Sequence, residues 1–203
     1  MSVIIAGIHT GIGKTICSAV ICQALGYDYW KPVQAGDLDN TDTLFVQNMV
    51  TNPACHTHPE THRLRLAASP HYAAAQEGIN IKATDFTLPA TVNPLVVETA
   101  GGIMSPLAPN LLNIHLAQQL QLPVILVSNN YLGSINHTLL TVAAMRQHNL
   151  TLKGLVFSGQ LLQSTRDYIV QHTGLPILFS IPQLEVVTAA AIAAVANTTR
   201  INF

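Results

Sequence analysis

The segment from Val3 to Thr15 constrains the fold more than any other part of the chain. Four apolar residues, Val3–Ala6, precede a glycine-rich turn that ends in Gly13-Lys14-Thr15. This order predicts a strand, a phosphate-binding loop and a helix, because the turn lets backbone N–H groups face an anion and the helix N-terminus adds partial positive charge. Five residues separate Gly7 from Gly13, where the standard pattern has four. The segment nevertheless favours nucleotide binding over an ordinary strand–turn–helix junction.

Composition narrows the fold class further. Hydrophobic residues make up 49% of the 203 residues and charged residues only 9%. This predicts one α/β domain over residues 1–203, with a mostly parallel sheet flanked by helices on both faces. The net charge of −1 gives no basic surface for nucleic acid or an anionic membrane, and no apolar run reaches membrane-spanning length. The three cysteines match no disulfide framework, which predicts a cytoplasmic protein.

Apolar runs and helical patterns alternate along the chain and predict repeated βαβ units. The predicted strands are Val3–Ala6, Tyr27–Val33, Pro94–Glu98, Pro123–Val127, Leu152–Phe157 and Ile177–Ile181. The predicted helices are Lys14–Leu25, Asn136–Gln147 and Thr188–Ala196, and Asn48–Ala67 is predicted to include a surface loop. In open α/β sheets, ligands bind outside the carboxyl ends of the strands. We therefore expect the segments that follow the strands to converge on one site, namely 10–15, 31–36, 98–102 and 129–136.

Two carboxylates are candidates for holding Mg²⁺, because hard cations prefer oxygen ligands. Glu98 closes a buried apolar run and precedes Thr99-Ala100-Gly101-Gly102. The alternative is that Glu98 is a solvated loop residue. The double glycine could let the backbone approach a ligand closely, or it could form a plain tight turn. Asp42 could supply a second oxygen or simply cap a helix, and Asp37 and Asp39 are rivals for the metal role.

Two further segments could bind anionic groups. Lys31 precedes a proline that restrains its backbone, so it could neutralise a transferring phosphoryl group or a carboxylate. A solvated lysine at a strand end is the alternative. Gly133-Ser134-Ile135-Asn136 opens a helix whose free N–H groups could bind a carboxylate, unless Ser134 or Asn136 only caps the helix.

Several histidines lie between residues 56 and 71. Cys55-His56-Thr57-His58 and His62 match no zinc spacing well, and His71 has no assignable partner. A polar loop is therefore favoured over a metal site.

Six segments, in chain order, resemble the dethiobiotin synthetases, ATP-dependent enzymes of biotin synthesis with a P-loop NTPase fold. They are the phosphate loop with its five-residue glycine spacing, Lys31–Gly36, Asn40–Asp42, Ser69–His71 with Gln76–Gly78, Glu98–Gly102, and Leu122–Val127 with Leu132–His137. The resemblance extends from Gly7 to about Glu185, nearly the whole chain.

The resemblance implies a ligase that makes dethiobiotin from 7,8-diaminononanoate, CO₂ and ATP, with Mg²⁺. It also implies a homodimer that shares its substrate site across the interface, with no nucleic-acid or membrane partner. The implied catalytic residues are Lys14, Lys31 and Thr10, and the implied metal ligands are Thr15, Asp42 and Glu98. Nucleotide binding would fall to Gly11, Ile12, Gly13, Lys14, Thr15, Ser158, Pro182, Gln183 and Leu184. Substrate binding would fall to Thr10, Lys31, Ala35, Gly101, Gly133, Ser134 and Asn136.

The chain departs from the family pattern at several of these positions. Ala35 replaces a Ser or Thr, Thr99 a glycine, and Ser158 an asparagine that recognises adenine. His9 and Gly11 stand where many members have Asp and Glu. The alternatives are a related P-loop amidoligase or kinase-like enzyme, a partitioning-type nucleotide switch, and a non-catalytic paralogue. The nucleotide switch is less favoured than the amidoligase or kinase-like enzyme, because the second lysine usual in such switches is absent from the loop.

Overall fold

A computed structural model describes residues 1–160 and 162–201, which form eleven strands and seven α-helices. The strands are β1 Val3–Gly7, β2 Asp28–Trp30, β3 Val33–Ala35, β4 Thr57–His58, β5 His62–Leu64, β6 Leu95–Gly102, β7 Pro106–Ala108, β8 Leu111–Leu112, β9 Val124–Asn129, β10 Leu152–Ser158 and β11 Ile177–Ile181. The helices are α1 Lys14–Leu25, α2 Asp42–Met49, α3 Pro70–Gln76, α4 Asn113–Leu120, α5 Ser134–Gln147, α6 Gln163–Thr173 and α7 Ala189–Thr198. A short 3₁₀ helix spans Ala83–Asp85. None of these helices is long and apolar enough to cross a membrane.

Seven strands form one sheet in the order β11-β10-β9-β1-β6-β2-β4, and every neighbouring pair is parallel. Two small pairs lie outside it: β3 with β5, parallel, and β7 with β8, antiparallel. Strand β1 lies between β9 and β6, so the loop that follows it opens near the middle of the sheet's carboxyl edge.

The apolar residues of β1 are buried on both faces of the sheet. Val3 and Ile5 pack in a hydrophobic cluster with residues of α1, α2 and α7. Ile4 and Ala6 pack in a second cluster with residues of α4, α5 and α6. Successive strand side chains point to opposite faces, so a strand covered on both faces is apolar throughout. The predicted α/β fold, with helices on both faces of a mostly parallel sheet, is confirmed.

The predicted strand Tyr27–Val33 is wrong in its extent. Strand β2 ends at Trp30, and β3 begins at Val33 in a different sheet. Proline lacks the N–H that a sheet ladder requires, so Pro32 ends the pairing with β6. Lys31 therefore follows the end of β2, at the carboxyl edge of the central sheet.

The segment Asn48–Ala67, predicted to include a surface loop, also contains two short strands. Within this segment β4 extends the central sheet beside β2, and β5 pairs with β3. Asp28 anchors the segment, because it accepts a hydrogen bond of 2.9 Å from the His56 backbone N–H and lies 3.1 Å from His58 Nε2. These contacts join residues 28 to 30 positions apart, so the local pattern of the segment does not reveal them.

Other boundaries differ less. Strand β6 continues to Gly102 instead of ending at Glu98, and α5 begins at Ser134, two residues before the predicted Asn136. Helix α1 has the predicted bounds. Strands β1, β9, β10 and β11 and helix α7 agree with prediction to within two residues at each end.

Candidate active site

A cavity of about 740 Å³ opens at the carboxyl ends of β1, β2 and β6. Its walls come from the loop after β1, the residues around β3, the start of α2, the residues before α3, and the end of β6. The predicted site residues among its lining are Thr10, Gly11, Gly13, Lys14, Thr15, Lys31, Ala35, Asp42, Glu98 and Gly101. Three of the four segments predicted to converge, 10–15, 31–36 and 98–102, therefore do so, whereas 129–136 does not line the cavity.

The phosphate loop is packed tightly at its last glycine. Gly13 has a φ of 91°, which L side chains rarely adopt, and a Cβ built there would lie 2.3 Å from Oγ of Ser158. Lys14 Nζ donates to the His9 carbonyl at 3.2 Å, so the lysine folds back along the loop. Burial lowers the pKa of Lys14, and the negative charge of Glu98 offsets this effect only in part. The Ile12 side chain is buried in the core, which leaves only its backbone to contact a nucleotide.

Three oxygen-bearing side chains converge at the start of α1. Thr15 Oγ1 lies 2.8 Å from Oδ1 of Asp42 and 2.9 Å from Oε1 of Glu98. A hydroxyl has one hydrogen, so Thr15 cannot donate fully to both carboxylates at once. One hydroxyl and two carboxylates form a set of oxygen ligands of the kind that Mg²⁺ prefers.

Lys31 supplies the positive charge between the two carboxylates. Its ammonium group donates to Asp42 and, at 3.2 Å, to Oε1 of Glu98. Burial lowers the pKa of Lys31, but the carboxylates of Glu98 and Asp42 outweigh it and hold the pKa above its ordinary value. Burial likewise raises the pKa of Asp42, and Lys31 more than reverses this, so the Asp42 carboxyl titrates below its ordinary range. Lys31 is thus a buried ammonium, and the solvated-lysine alternative is wrong.

The second oxygen of Glu98 is held by two residues that the sequence reasoning missed. Ser18 Oγ donates to Oε2 at 2.8 Å and the Tyr29 hydroxyl donates at 3.0 Å. Glu98 is fully buried, so it is not the solvated loop glutamate of the alternative interpretation. Spacing could have indicated both: Ser18 follows Lys14 by one helical turn, and Tyr29 precedes Lys31 by the strand period of two.

The residue that caps α2 is Thr41, whose hydroxyl accepts from the Leu44 N–H at 3.1 Å. The alternative in which Asp42 is the cap is therefore wrong, and its carboxylate is available to Thr15 and Lys31. The rivals Asp37 and Asp39 do not line the cavity.

The end of β6 is shaped by Asn113, the first residue of α4. Its Nδ2 donates to the carbonyls of Ala100 and Gly102, at 2.7 and 2.9 Å. Between them, Gly101 lines the cavity. The Thr99 hydroxyl turns inward to the Ile5 carbonyl at 3.3 Å, so its methyl-bearing side chain does not occupy the cavity.

The other predicted site residues lie outside this cavity, namely Ile12, Ser158, Pro182, Gln183, Leu184, Gly133, Ser134 and Asn136. Ser158 lies against the phosphate loop, because a Cβ on Gly13 would be only 2.3 Å from its Oγ. Ser134 is buried at the start of α5 and its N–H donates to the Tyr131 carbonyl at 2.9 Å, whereas Asn136 is exposed. The structure brings neither of these to the cavity of the same chain.

Three of the four histidines in residues 56–71 contact carboxylates. His56 and His58 contact Asp28, and His62 Nε2 lies 2.9 Å from Asp85. Within residues 1–160 and 162–201, no group of three His, Cys, Asp or Glu side chains is placed to hold a metal ion.

The fold and the loop define the class of protein. A family model described as an AAA domain matches residues 1–191. A ParA family ATPase from Chlorobium tepidum TLS superposes with a TM-score of 0.57 at 14% identity, over 98% of this chain and 93% of that one. A chain of the MinC:MinD cell division protein complex from Aquifex aeolicus gives a TM-score of 0.54 at 13% identity, over 97% and 93%. At these identities the likeness shows the fold alone, that of P-loop nucleotide-binding proteins.

Curated relatives identify the family. The ATP-dependent dethiobiotin synthetase BioD of Cytophaga hutchinsonii is 42% identical over 95% of this chain and 93% of its own length. The protein of the same name from Chlamydia pneumoniae is 39% identical over 96% and 87%. The chain belongs to the dethiobiotin synthetase family.

Proposed function

We propose that this protein, acting as one domain, is an ATP-dependent ligase that forms dethiobiotin from 7,8-diaminononanoate and CO₂, a step of biotin biosynthesis. The observation that carries the proposal is the cluster of Thr15, Lys31, Asp42 and Glu98 beside the phosphate loop, in a chain of this family. The cavity of about 740 Å³ has room for a small diamine next to a triphosphate.

The proposed nucleotide site uses the backbone of Gly11–Thr15 for the phosphates, with Lys14 on the terminal ones. Thr15, Asp42 and Glu98 would hold Mg²⁺, which supplies neutralisation of phosphate charge when it is bound. The fit rests on the donor set described above, a hydroxyl and two carboxylates.

The proposed reaction has three bond-forming steps on the protein. One amine of the substrate adds to CO₂ and loses a proton, which gives a carbamate, and a carbamate oxygen takes the terminal phosphoryl group of ATP with release of ADP. The second amine then attacks the carbamate carbon, closes the ureido ring and expels phosphate. Such chemistry asks the protein mainly for alignment and charge neutralisation.

Lys31 and Thr10 are proposed to face the carbamate. Both line the cavity that the phosphate loop enters, together with Gly101. The raised pKa of Lys31 keeps its ammonium charged, and a fixed cation stabilises negative charge that develops during phosphoryl transfer. Ala35 lines the same cavity without a hydroxyl, so substrate contact there is apolar.

We propose a homodimer in which the turn at Gly133, Ser134 and Asn136 binds the substrate carboxylate in the cavity of a second copy. Two observations support this: the turn does not line the cavity of its own chain, and Leu132 and Leu140 beside it are largely exposed apolar side chains. Burial of these side chains against a second copy would remove apolar surface from water.

Phosphate release by the purified protein tests the proposal. Release should require the diamine, bicarbonate and Mg-ATP together, and the gene should restore growth of a biotin auxotroph. Release that is indifferent to the diamine would instead favour a related amidoligase or kinase-like enzyme on another substrate.

A further inference from the structure

Two of the three cysteines lie side by side in the fold. Cys22 is buried in the last turn of α1, and Cys55 lies half-buried just before β4. Both side chains pack in the hydrophobic cluster beneath α1, and their thiols are hydrogen-bonded to each other. Strands β2 and β3 and helix α2 separate them along the chain, so their spacing in the sequence gives no sign of this contact.

Hydrogen bonds of Gln23 hold the two cysteines together. The Gln23 Oε1 accepts from the backbone N–H of Thr51 at 2.7 Å and from that of Asn52 at 3.2 Å. In return, Nδ2 of Asn52 donates to the Gln23 carbonyl at 2.9 Å, and the Asn52 carbonyl accepts from the Cys55 N–H at 3.1 Å. The turn that ends at Cys55 is therefore fastened to the end of α1, beside Cys22.

The two thiols differ in accessibility and in acidity. Burial, together with the hydrogen bond to Cys55, raises the pKa of Cys22 well above its ordinary value. The same hydrogen bond lowers the pKa of Cys55, against the effect of its partial burial. The thiolate is the nucleophilic form, and an oxidant reaches a half-buried sulfur more readily than a buried one. Cys55 is therefore the residue that reacts first, and Cys22 lies within reach to react second.

We propose that Cys22 and Cys55 form a reversible oxidation site, at which a peroxide converts the two thiols to a disulfide. The Cys55 sulfur attacks one oxygen of hydrogen peroxide, the O–O bond breaks, and the other oxygen leaves as water with the proton that Cys55 has lost. The Cys22 sulfur then attacks the sulfenic acid sulfur of Cys55, the S–O bond breaks, and a second water leaves with the Cys22 proton. Two thiols are oxidised and one peroxide is reduced to two waters. Thiol–disulfide exchange with a reducing dithiol restores both cysteines.

The disulfide would close a loop that carries part of the candidate active site. Lys31 and Asp42 lie within the loop, and Asp42 contacts Thr15 at the other end of α1. Neither cysteine lines the cavity, so the bridge leaves the site's own side chains unmodified. A cross-link restricts the unfolded chain, so we expect the oxidised protein to be the more stable form.

Oxidation of the full chain with stoichiometric hydrogen peroxide tests the proposal. Thiols titrated in denaturant should fall from three to one, and dithiothreitol should restore all three. Mass spectrometry of the unreduced digest should find the Cys22 and Cys55 peptides joined, with Cys17 free. The Tm should rise by about 10 °C on oxidation.

Cys17→Ser is the matched control, because it removes a buried thiol of the same cluster and should leave bridge formation unchanged. Cys55→Ser should abolish the bridge. Cys22→Ala should stop the reaction at the Cys55 sulfenic acid, which a 1,3-diketone reagent traps. Gln23→Ala should slow bridge formation about tenfold, because the turn is no longer held against α1. Three thiols remaining after peroxide, a bridge that includes Cys17, or sulfinic acid at Cys55 in place of a disulfide would each overturn the proposal.

Discussion

The Tyr29 hydroxyl donates a hydrogen bond of 3.0 Å to Oε2 of Glu98, and both residues are fully buried. Together with Ser18, it occupies this oxygen and leaves Oε1 directed at Thr15 and Lys31. Burial and the negative field of Glu98 raise the pKa of Tyr29 well above its ordinary value, so the phenol stays a donor at all working pH values. Tyr29 is thus a positioning residue for the carboxylate that we assign to Mg²⁺.

Tyr29→Phe removes this donor with little change in volume. We expect the free energy of unfolding to fall by about 1 kcal/mol, and the Mg²⁺ concentration for half-maximal activity to rise about fivefold. Denaturant unfolding and a Mg²⁺ titration of phosphate release measure the two effects. Tyr168→Phe, on the surface of α6, should change neither value, and an unaltered Mg²⁺ requirement in Tyr29→Phe would refute the positioning role.

Lys31→Met removes the cation from between two carboxylates. We expect kcat to fall about 100-fold, because the ammonium no longer neutralises developing negative charge. The carboxylates of Asp42 and Glu98 should also repel each other, so added Mg²⁺ should raise the Tm of the variant more than that of the unsubstituted protein. Steady-state kinetics and thermal unfolding with and without Mg²⁺ measure both effects. The exposed Lys82→Met serves as the control, and retention of kcat in Lys31→Met would argue against its placement beside the carbamate.

Gly13→Ala should be far more harmful than a glycine substitution elsewhere. The new Cβ would lie 2.3 Å from Ser158 Oγ, in a backbone conformation that alanine resists. Gly174 has a similar positive φ but nothing within 4 Å of its Cβ position, so Gly174→Ala isolates the backbone penalty of about 1–2 kcal/mol. Thermal unfolding should show a clearly larger loss of stability for Gly13→Ala than for Gly174→Ala. Equal losses would mean that the contact with Ser158 relaxes freely.

The pH dependence of stability should contain a contribution from Asp28. Burial would raise its pKa, but hydrogen bonds from Asn93, Thr91 and the His56 N–H outweigh burial and hold the pKa well below its usual range. Because the folded-state pKa is depressed, the stabilisation is present above the unfolded value near 4 and is lost as pH falls below it. Asp28→Asn should therefore unfold more easily at pH 7 and lose less stability between pH 5 and pH 3. Urea unfolding across that pH range measures the free energy of unfolding of each variant, and the exposed Asp39→Asn serves as the control.

The parts of the fold that the sequence predicted are those with a local signal. Strand β1 and helix α1 follow from an unbroken apolar run and a glycine-rich turn. The apolar character of every residue in the β1 run also indicates that this strand is buried on both faces of the sheet. Strands β4 and β5 gave no such signal, because β4 is anchored by Asp28 and β5 pairs with β3 on the far side of a proline break. Edge pairings of this kind are decided by tertiary contacts.

The site residues likewise divide into those that have a local sequence signal and those that do not. Lys14, Thr15, Lys31, Asp42 and Glu98 were predicted because each follows or closes a recognisable element. Asn113, by contrast, was missed because it acts through the carbonyls of Ala100 and Gly102, which any residue in those positions would supply. Residues that hold backbone groups leave no pattern of side-chain types, so only the three-dimensional structure reveals them.

The proposed sharing of the substrate site between two copies can be tested by complementation. Asn136→Asp places a negative charge at the exposed turn and should raise the KM for the diamine with no change in the KM for ATP, because only the substrate carboxylate is repelled. Lys31→Met disables the other half of each site. When the two variants are mixed and allowed to exchange subunits, about half of the dimers are hybrids with one intact site, which restores about a quarter of the activity. Activity equal to the average of the separate variants would show that each chain completes its own site.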